Sequence, residues 1–177
     1  IKRPLRILEI GAGTGGTTQA VLPLLDSINI QYNYVFSDIG KSFLKKAKKT
    51  FGTNHNLIYK ELNIENSPLE EGFIGGQFDI IIAADVIHAT RDIKESINHI
   101  NYLLNENGVL FLIEVLKSSS FLNISFGLLD GWWRFRDTKL RPKSALISIE
   151  KWQGVLSECG FKNEVHLKEE SLNQIVI

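Results

Sequence analysis

Leu5-Arg-Ile-Leu-Glu9-Ile-Gly11-Ala-Gly13-Thr-Gly15-Gly16 runs from an apolar strand straight into a glycine-rich turn that opens a helix. Glycine lets the backbone approach a ligand closely, and the helix that follows offers unpaired amides at its N-terminus. A nucleotide-like ligand is expected here. Gly11, Gly13 and Gly16 have the spacing of a dinucleotide fingerprint, and Asp38, at the end of the next strand, is suited to accept hydrogen bonds from a ribose. Glu9 points to a different cofactor: a carboxylate two residues before the first glycine would repel a pyrophosphate and suits a molecule with a cationic part. A tight turn with no ligand is the structural alternative.

Beyond this turn, apolar runs alternate with helical patterns, which predicts strands joined by crossover helices and hence a mostly parallel sheet with helices on both faces. Strands are expected at 5–10, 32–37, 56–62, 78–83 and 108–115, with a short hairpin of strands near 161–167 and 172–177 completing seven. Helices are expected after the glycine turn through Leu25, at 42–51, at 91–105 with Thr90 as N-cap, and at 149–159 between Ser148 and a stop at Gly160. Lys41, Lys45, Lys46, Lys48 and Lys49 crowd one helix, read either as a phosphate-binding surface or as a solvated face opposite Phe43, Leu44, Ala47 and Phe51. The connection 116–147 is too long for an ordinary loop and reads as a lid insertion. It carries Phe121, Phe126, Trp132, Trp133 and Phe135 together with Arg134, Arg136, Lys139, Arg141 and Lys143. Its aromatics either pack into a small core of their own or wall a binding site.

The chain has 177 residues, 44% of them hydrophobic, enough for the core of one domain. Twenty basic residues balance 20 acidic ones, so no strong overall field draws it to nucleic acid or to an anionic membrane. Cys159 is the single cysteine, which excludes an internal disulfide framework, and no apolar run is long enough to span a bilayer. A cytoplasmic, reducing compartment is the expectation. The sequence contains no methionine and enters its first strand almost at once, as a domain excised from a larger multidomain polypeptide would.

With Leu8-Glu9-Ile10-Gly11-Ala12-Gly13-Thr14-Gly15, Asp38 and Glu114, the chain resembles class I S-adenosylmethionine-dependent methyltransferases, a Rossmann-like α/β fold. The resemblance implies that Gly11 and Gly13 hold the amino-acid portion of S-adenosylmethionine, near Glu9, and that Asp38 binds its ribose. Asn63, in Leu62-Asn63-Ile64-Glu65, stands where members often place an aspartate for the adenine. A narrower likeness comes from Asp85-Val-Ile-His88-Ala-Thr90, Phe111-Leu-Ile-Glu114 and Phe126-Gly-Leu-Leu-Asp-Gly-Trp132-Trp133-Arg134-Phe. These segments resemble the C-methyltransferase domains of polyketide synthases, which implies a His88–Glu114 catalytic dyad, a β-ketoacyl substrate carried on the phosphopantetheine arm of an acyl carrier protein, and neighbouring synthase domains. Asp85 stands at a cofactor-edge position where that family usually has asparagine.

The chemistry is consistent with the resemblance. Removing a proton that lies between two carbonyls suits an imidazole titrating near neutrality. Glu114 closes an otherwise apolar strand and needs a partner to offset its desolvation. In-line attack on a sulfonium methyl needs close placement, so no metal is implied. Phe126, Trp132 and Trp133 are expected to wall the substrate, with Arg134 available to a phosphate. His55, His99 and His166 are assigned no role. Three rivals remain open: an O-methyltransferase using the same dyad on a β-hydroxyl or enol, a nicotinamide-dependent reductase, and an inactive domain that only supports its neighbours.

Overall fold

The structure is a computed structural model that describes residues 3–116, 120–162, 167–169 and 174–176. The glycine turn is flanked by β1 (Leu5–Ile10) and α1 (Gly16–Ser27). There follow β2 (Tyr32–Asp38), α2 (Lys41–Phe51), β3 (Leu57–Glu61) and β4 (Phe78–Ala84). After β4 come α3 (Ile93–Leu103), β5 (Leu104–Val115), α4 (Ser120–Ser125) and α5 (Ile149–Glu158). The chain returns through β6 (Leu167–Glu169) and β7 (Gln174–Val176).

The sheet order is β3-β2-β1-β4-β5-β7-β6. β1 to β5 are mutually parallel, and β7 lies antiparallel to both β5 and β6. The chain leaves β1 towards β2 on one side and later returns to β4 on the other, which opens a crevice at the carboxyl ends of these two central strands. This is the Rossmann-like methyltransferase fold expected from the sequence. Of the last two predicted strands, 163–166, 170–173 and 177 lie outside the described residues, as does His166.

Alternating strand residues feed two cores. Leu8, Ile10, Ile81 and Ala83 face α3 and α5 through Ile93, Ile97, Ile100, Trp152 and Leu156. Ile7, Tyr34 and Ile82 face α1 through Leu22 and Leu25, while Phe36 meets α2 at Ala47. Helices therefore cover both faces, as a parallel sheet requires. The lysines of α2 lie opposite its buried Ala47, and Lys41 pairs with Glu61 at 3.4 Å.

Two boundaries of α3 differ from expectation, and the first lies beside the site. The N-cap of α3 is Asp92, whose carboxylate accepts from Glu95 N–H at 3.0 Å, and the helix starts at Ile93. The Thr90 hydroxyl instead donates to the Ile87 carbonyl at 2.8 Å, closing a single 3₁₀ turn, Ile87–Ala89. At the other end, α3 stops at Leu103 and β5 begins at Leu104, earlier than the predicted 108. Leu104 is extended and buried opposite Phe78, and the register then shifts before Ile80 meets Val109. Gly160, at φ +90, ends α5 as predicted.

Candidate active site

The glycine turn is held from behind. Glu9 is buried, and its Oε2 accepts from the Thr18 hydroxyl in the first turn of α1 and from the Tyr34 hydroxyl at 2.6 Å. Burial pushes the Glu9 carboxyl up, against the pull of these two hydroxyls. Burial and the neighbouring Glu9 charge likewise push the Tyr34 phenol up, so it remains a donor. Through Oε2, Glu9 therefore braces β1, β2 and α1 beneath the turn. Asp38 ties the turn from the side: Gly13 N–H donates to one of its oxygens at 2.9 Å and Gly40 N–H to the other at 2.7 Å.

Gly11, Gly13 and Gly15 all have positive φ, and the first two shape the ligand side of the turn. Gly11 has φ +62, and a Cβ there would lie 2.4 Å from Val86 Cγ2, so the turn must lack a side chain for the chain leaving β4 to pass. Gly13 has φ +52, and a Cβ there would meet only the Gly11 carbonyl oxygen within 4 Å, at 3.8 Å. Its outer side is thus open to a ligand. Asp38 at the end of β2 and exposed Asp85 after β4 share this carboxyl edge. An open glycine cradle with carboxylates on its rim fits a cofactor carrying ammonium and sulfonium groups. Asn63 lies nearby after β3, half-buried, its side-chain oxygen accepting from Glu65 N–H at 3.1 Å.

The second half of the site forms where β4 ends. Asp85 adopts φ +51, a left-handed conformation that Asp tolerates better than most residues, and its N–H donates to Ile113 O at 2.8 Å. This reversal lifts the 3₁₀ turn over the end of β5. Glu114, fully buried in β5, lies beneath it. Its Oε1 accepts from the amides of Val86, Ile87 and His88 at 3.3, 2.8 and 3.4 Å. Its Oε2 lies 2.6 Å from His88 Nδ1. One carboxylate thus anchors both the main chain and the ring of the histidine. Burial is the largest influence on the His88 imidazole and pulls its proton affinity down. The Glu114 bond and charge, with the Asp85 charge, outweigh it and hold the group above its ordinary value, while Arg141 opposes them.

The insertion supplies the roof. Trp132 is buried and its ring is T-shaped to the His88 ring, with centroids 5.6 Å apart, and Phe126 stacks on Trp132 at 5.8 Å. Trp132, Ala145 and Leu146 form a small core of their own, the first of the two readings offered for these aromatics. Trp133 is half-exposed, its indole N–H donating to Gly127 O at 2.9 Å, and Arg134 is exposed. His88, Glu114, Asp85 and Trp132 are therefore brought together, whereas Trp133 and Arg134 lie outside that cluster. Among the described residues, Asp85, His88 and Glu114 also offer ligand atoms within 4.8 Å of one another. Glu114 is already engaged by three amides and the ring, so a metal there would have to displace the His88 contact.

Arg141 is the site residue that sequence reasoning misses. In sequence it is one basic residue among several in the insertion, yet it is 1% exposed and bonded to the turn that carries His88. Its partners are the Asp137 carboxylate and three main-chain carbonyls, and the carbonyls leave no signature in a sequence.

The methyltransferase domain family matches residues 8–110, the span from β1 into β5. The chain belongs to that family. This methyltransferase domain is 39% identical over 163 residues to the non-reducing polyketide synthase mapC of Penicillium brevicompactum, covering 90% of this chain and 6% of that protein. The CurJ carbon methyltransferase superposes with a TM-score of 0.92 at 44% identity, covering 98% of this chain and 47% of that one. The trans-methyltransferase CalH, solved in complex with SAH, superposes at 0.89 and 35% identity, covering 98% and 50%. The methyltransferase domain thus spans about half the length of these solved chains and a small fraction of the synthase. It is a methyltransferase domain, and its glycine cradle and acidic rim fit S-adenosylmethionine. Among the described residues, no helix is long and apolar enough to cross a membrane.

Proposed function

We propose that the domain methylates the α carbon of a β-ketoacyl chain carried as a thioester on an acyl carrier protein, within a polyketide synthase. His88 acts as general base and Glu114 as its orienting partner. The observation that carries this reading is the 2.6 Å contact between His88 Nδ1 and Glu114. With Nδ1–H donated to the carboxylate, the lone pair of the neutral ring resides on Nε2, the nitrogen left to take a proton. A substrate proton flanked by two carbonyls moves to Nε2 while its bonding electrons remain on the substrate as an enolate. Glu114 stabilises the imidazolium so formed.

When bound, S-adenosylmethionine supplies an electrophilic methyl on a sulfonium that departs as a neutral thioether. Gly11 and Gly13 would hold its amino-acid portion, Asp38 its ribose and Asn63 its adenine, with Asp85 at the rim and Glu9 bracing the turn. Trp132 and Phe126 exclude water from the enolate beside His88. Trp133 and Arg134, more exposed, would meet the outer acyl chain and the phosphate of the carrier arm. The similarity to CurJ, a carbon methyltransferase, supports carbon as the target. The test is to incubate the protein with S-adenosylmethionine and a β-ketoacyl thioester and to locate the added methyl by fragmentation mass spectrometry. A methyl on the α carbon is expected; a methyl on oxygen, or no transfer with cofactor bound, would overturn the reading.

A further inference from the structure

We propose that Arg141 is a positioning residue for His88, reaching from the insertion to fix the main chain of the turn that carries the base. The inference rests on the reading of His88 as that base. The Arg141 guanidinium is buried, and each of its nitrogens donates. Nη1 donates to His88 O at 2.7 Å; Nη2 is shared between Thr90 O at 2.8 Å and Arg91 O at 3.0 Å. Nε donates to Asp137 at 2.5 Å, and the other oxygen of Asp137 accepts from Ile93 N–H at 3.1 Å. Phe135 presents its ring 5.0 Å from the guanidinium carbon. A buried cation is tolerated only when paired and hydrogen-bonded this fully.

What separates this from ordinary loop packing is where the acceptors lie. Glu114 collects the amides of Val86, Ile87 and His88, and Arg141 collects the carbonyls of His88, Thr90 and Arg91. An anion thus holds the amino end of the turn and a cation its carboxyl end, the arrangement that the peptide dipoles of a helical turn favour. The histidine is gripped by its ring, its own N–H and its own C=O. Only a fork of guanidinium geometry reaches all three carbonyls at once; an ammonium on the same backbone would reach fewer. The Arg141 charge also opposes protonation of His88, partly offsetting Asp85 and Glu114.

The experiment compares Arg141→Ala, Arg141→Lys and His88→Ala with the wild type. It reads kcat and KM for the thioester, S-adenosylmethionine affinity, and the titration of the His88 ring by nitrogen NMR. Arg141→Ala is expected to keep cofactor affinity within about twofold while kcat falls about 10- to 100-fold, the scale of a small misplacement of a reacting group. Guanidinium added at millimolar levels should restore part of that loss, and ammonium should not. The His88 titration should move to higher pH in Arg141→Ala and stay near wild type in Arg141→Lys, which keeps the charge but loses the fork and therefore remains slow. A wild-type kcat in either variant would overturn the inference, as would a loss that guanidinium leaves untouched and that cofactor affinity follows. Should Arg141→Ala not fold, Arg141→Lys decides by the same readings. If His88→Ala proves fully active, the base reading fails on its own, and the NMR titration still reports whether the Arg141 charge acts on His88.

Discussion

Two carboxylates and one guanidinium converge on His88, and their balance sets the pH at which it can accept a proton. Because Glu114 and Asp85 together hold the imidazole above its ordinary value of about 6.5, the acid limb of the rate profile should fall above that pH. Replacing Asp85 with asparagine removes one of the raising charges, so the limb should move to lower pH. The measurement is kcat/KM against pH in both proteins, and an unmoved limb would count against the Asp85 contribution. The same shift has a stability consequence of opposite sense. A histidine whose folded value is raised stabilises fully below its unfolded value and loses that contribution as pH rises through the folded one. The gap in melting temperature between wild type and His88→Gln should therefore narrow from pH 6 towards alkaline pH, following about 6.5 and above. Glu114 is legible in the sequence because it interrupts an apolar strand, and His88 because it follows one. Arg141 is not, since nothing distinguishes it from Arg134 or Lys139 until the turn it grips has been folded.

Among the elements, the glycine turn and the 3₁₀ turn form one unit, because the chain leaving β4 passes against Gly11. Gly11→Ala would place a Cβ 2.4 Å from Val86 at a backbone angle that alanine rarely adopts. The expected result is loss of S-adenosylmethionine binding by calorimetry with the far-ultraviolet circular dichroism retained; wild-type affinity would contradict it. Sequence periodicity places the five parallel strands within a few residues, and the three central ones, β1, β2 and β4, are mostly buried on both faces and read as near-continuous apolar runs. It misplaces the start of α3 because Thr90 and Asp92 are both good caps, and only Asp92 has its carboxylate at Glu95 N–H. Asp92→Ala should cost about 1 kcal/mol of stability, read as a shifted denaturation midpoint. No local pattern marks the 3₁₀ turn, whose shape is dictated by the left-handed Asp85 and by Glu114 beneath it.

At the scale of the molecule, the sheet order puts β1 and β4 side by side with their helices on opposite faces, so cofactor turn and base turn meet at one edge. That meeting depends on the central strands staying in register. Ile81, wholly buried in β4, is a direct probe of it: Ile81→Ala should cost about 2–5 kcal/mol and lower the melting temperature by roughly 5–15 °C. The insertion completes the site, with Trp132 against the His88 ring and Arg141 bonded to the His88 main-chain carbonyl. The cofactor turn on the sheet, the base turn at its edge and the roof from the insertion all converge on His88. The most direct measurement is therefore the single-turnover rate of methyl transfer to a β-ketoacyl thioester by His88→Ala, with S-adenosylmethionine saturating and its binding confirmed. With His88 as the base, the rate should fall about 100-fold or more relative to wild type. Transfer at the wild-type rate with the cofactor bound would contradict that role.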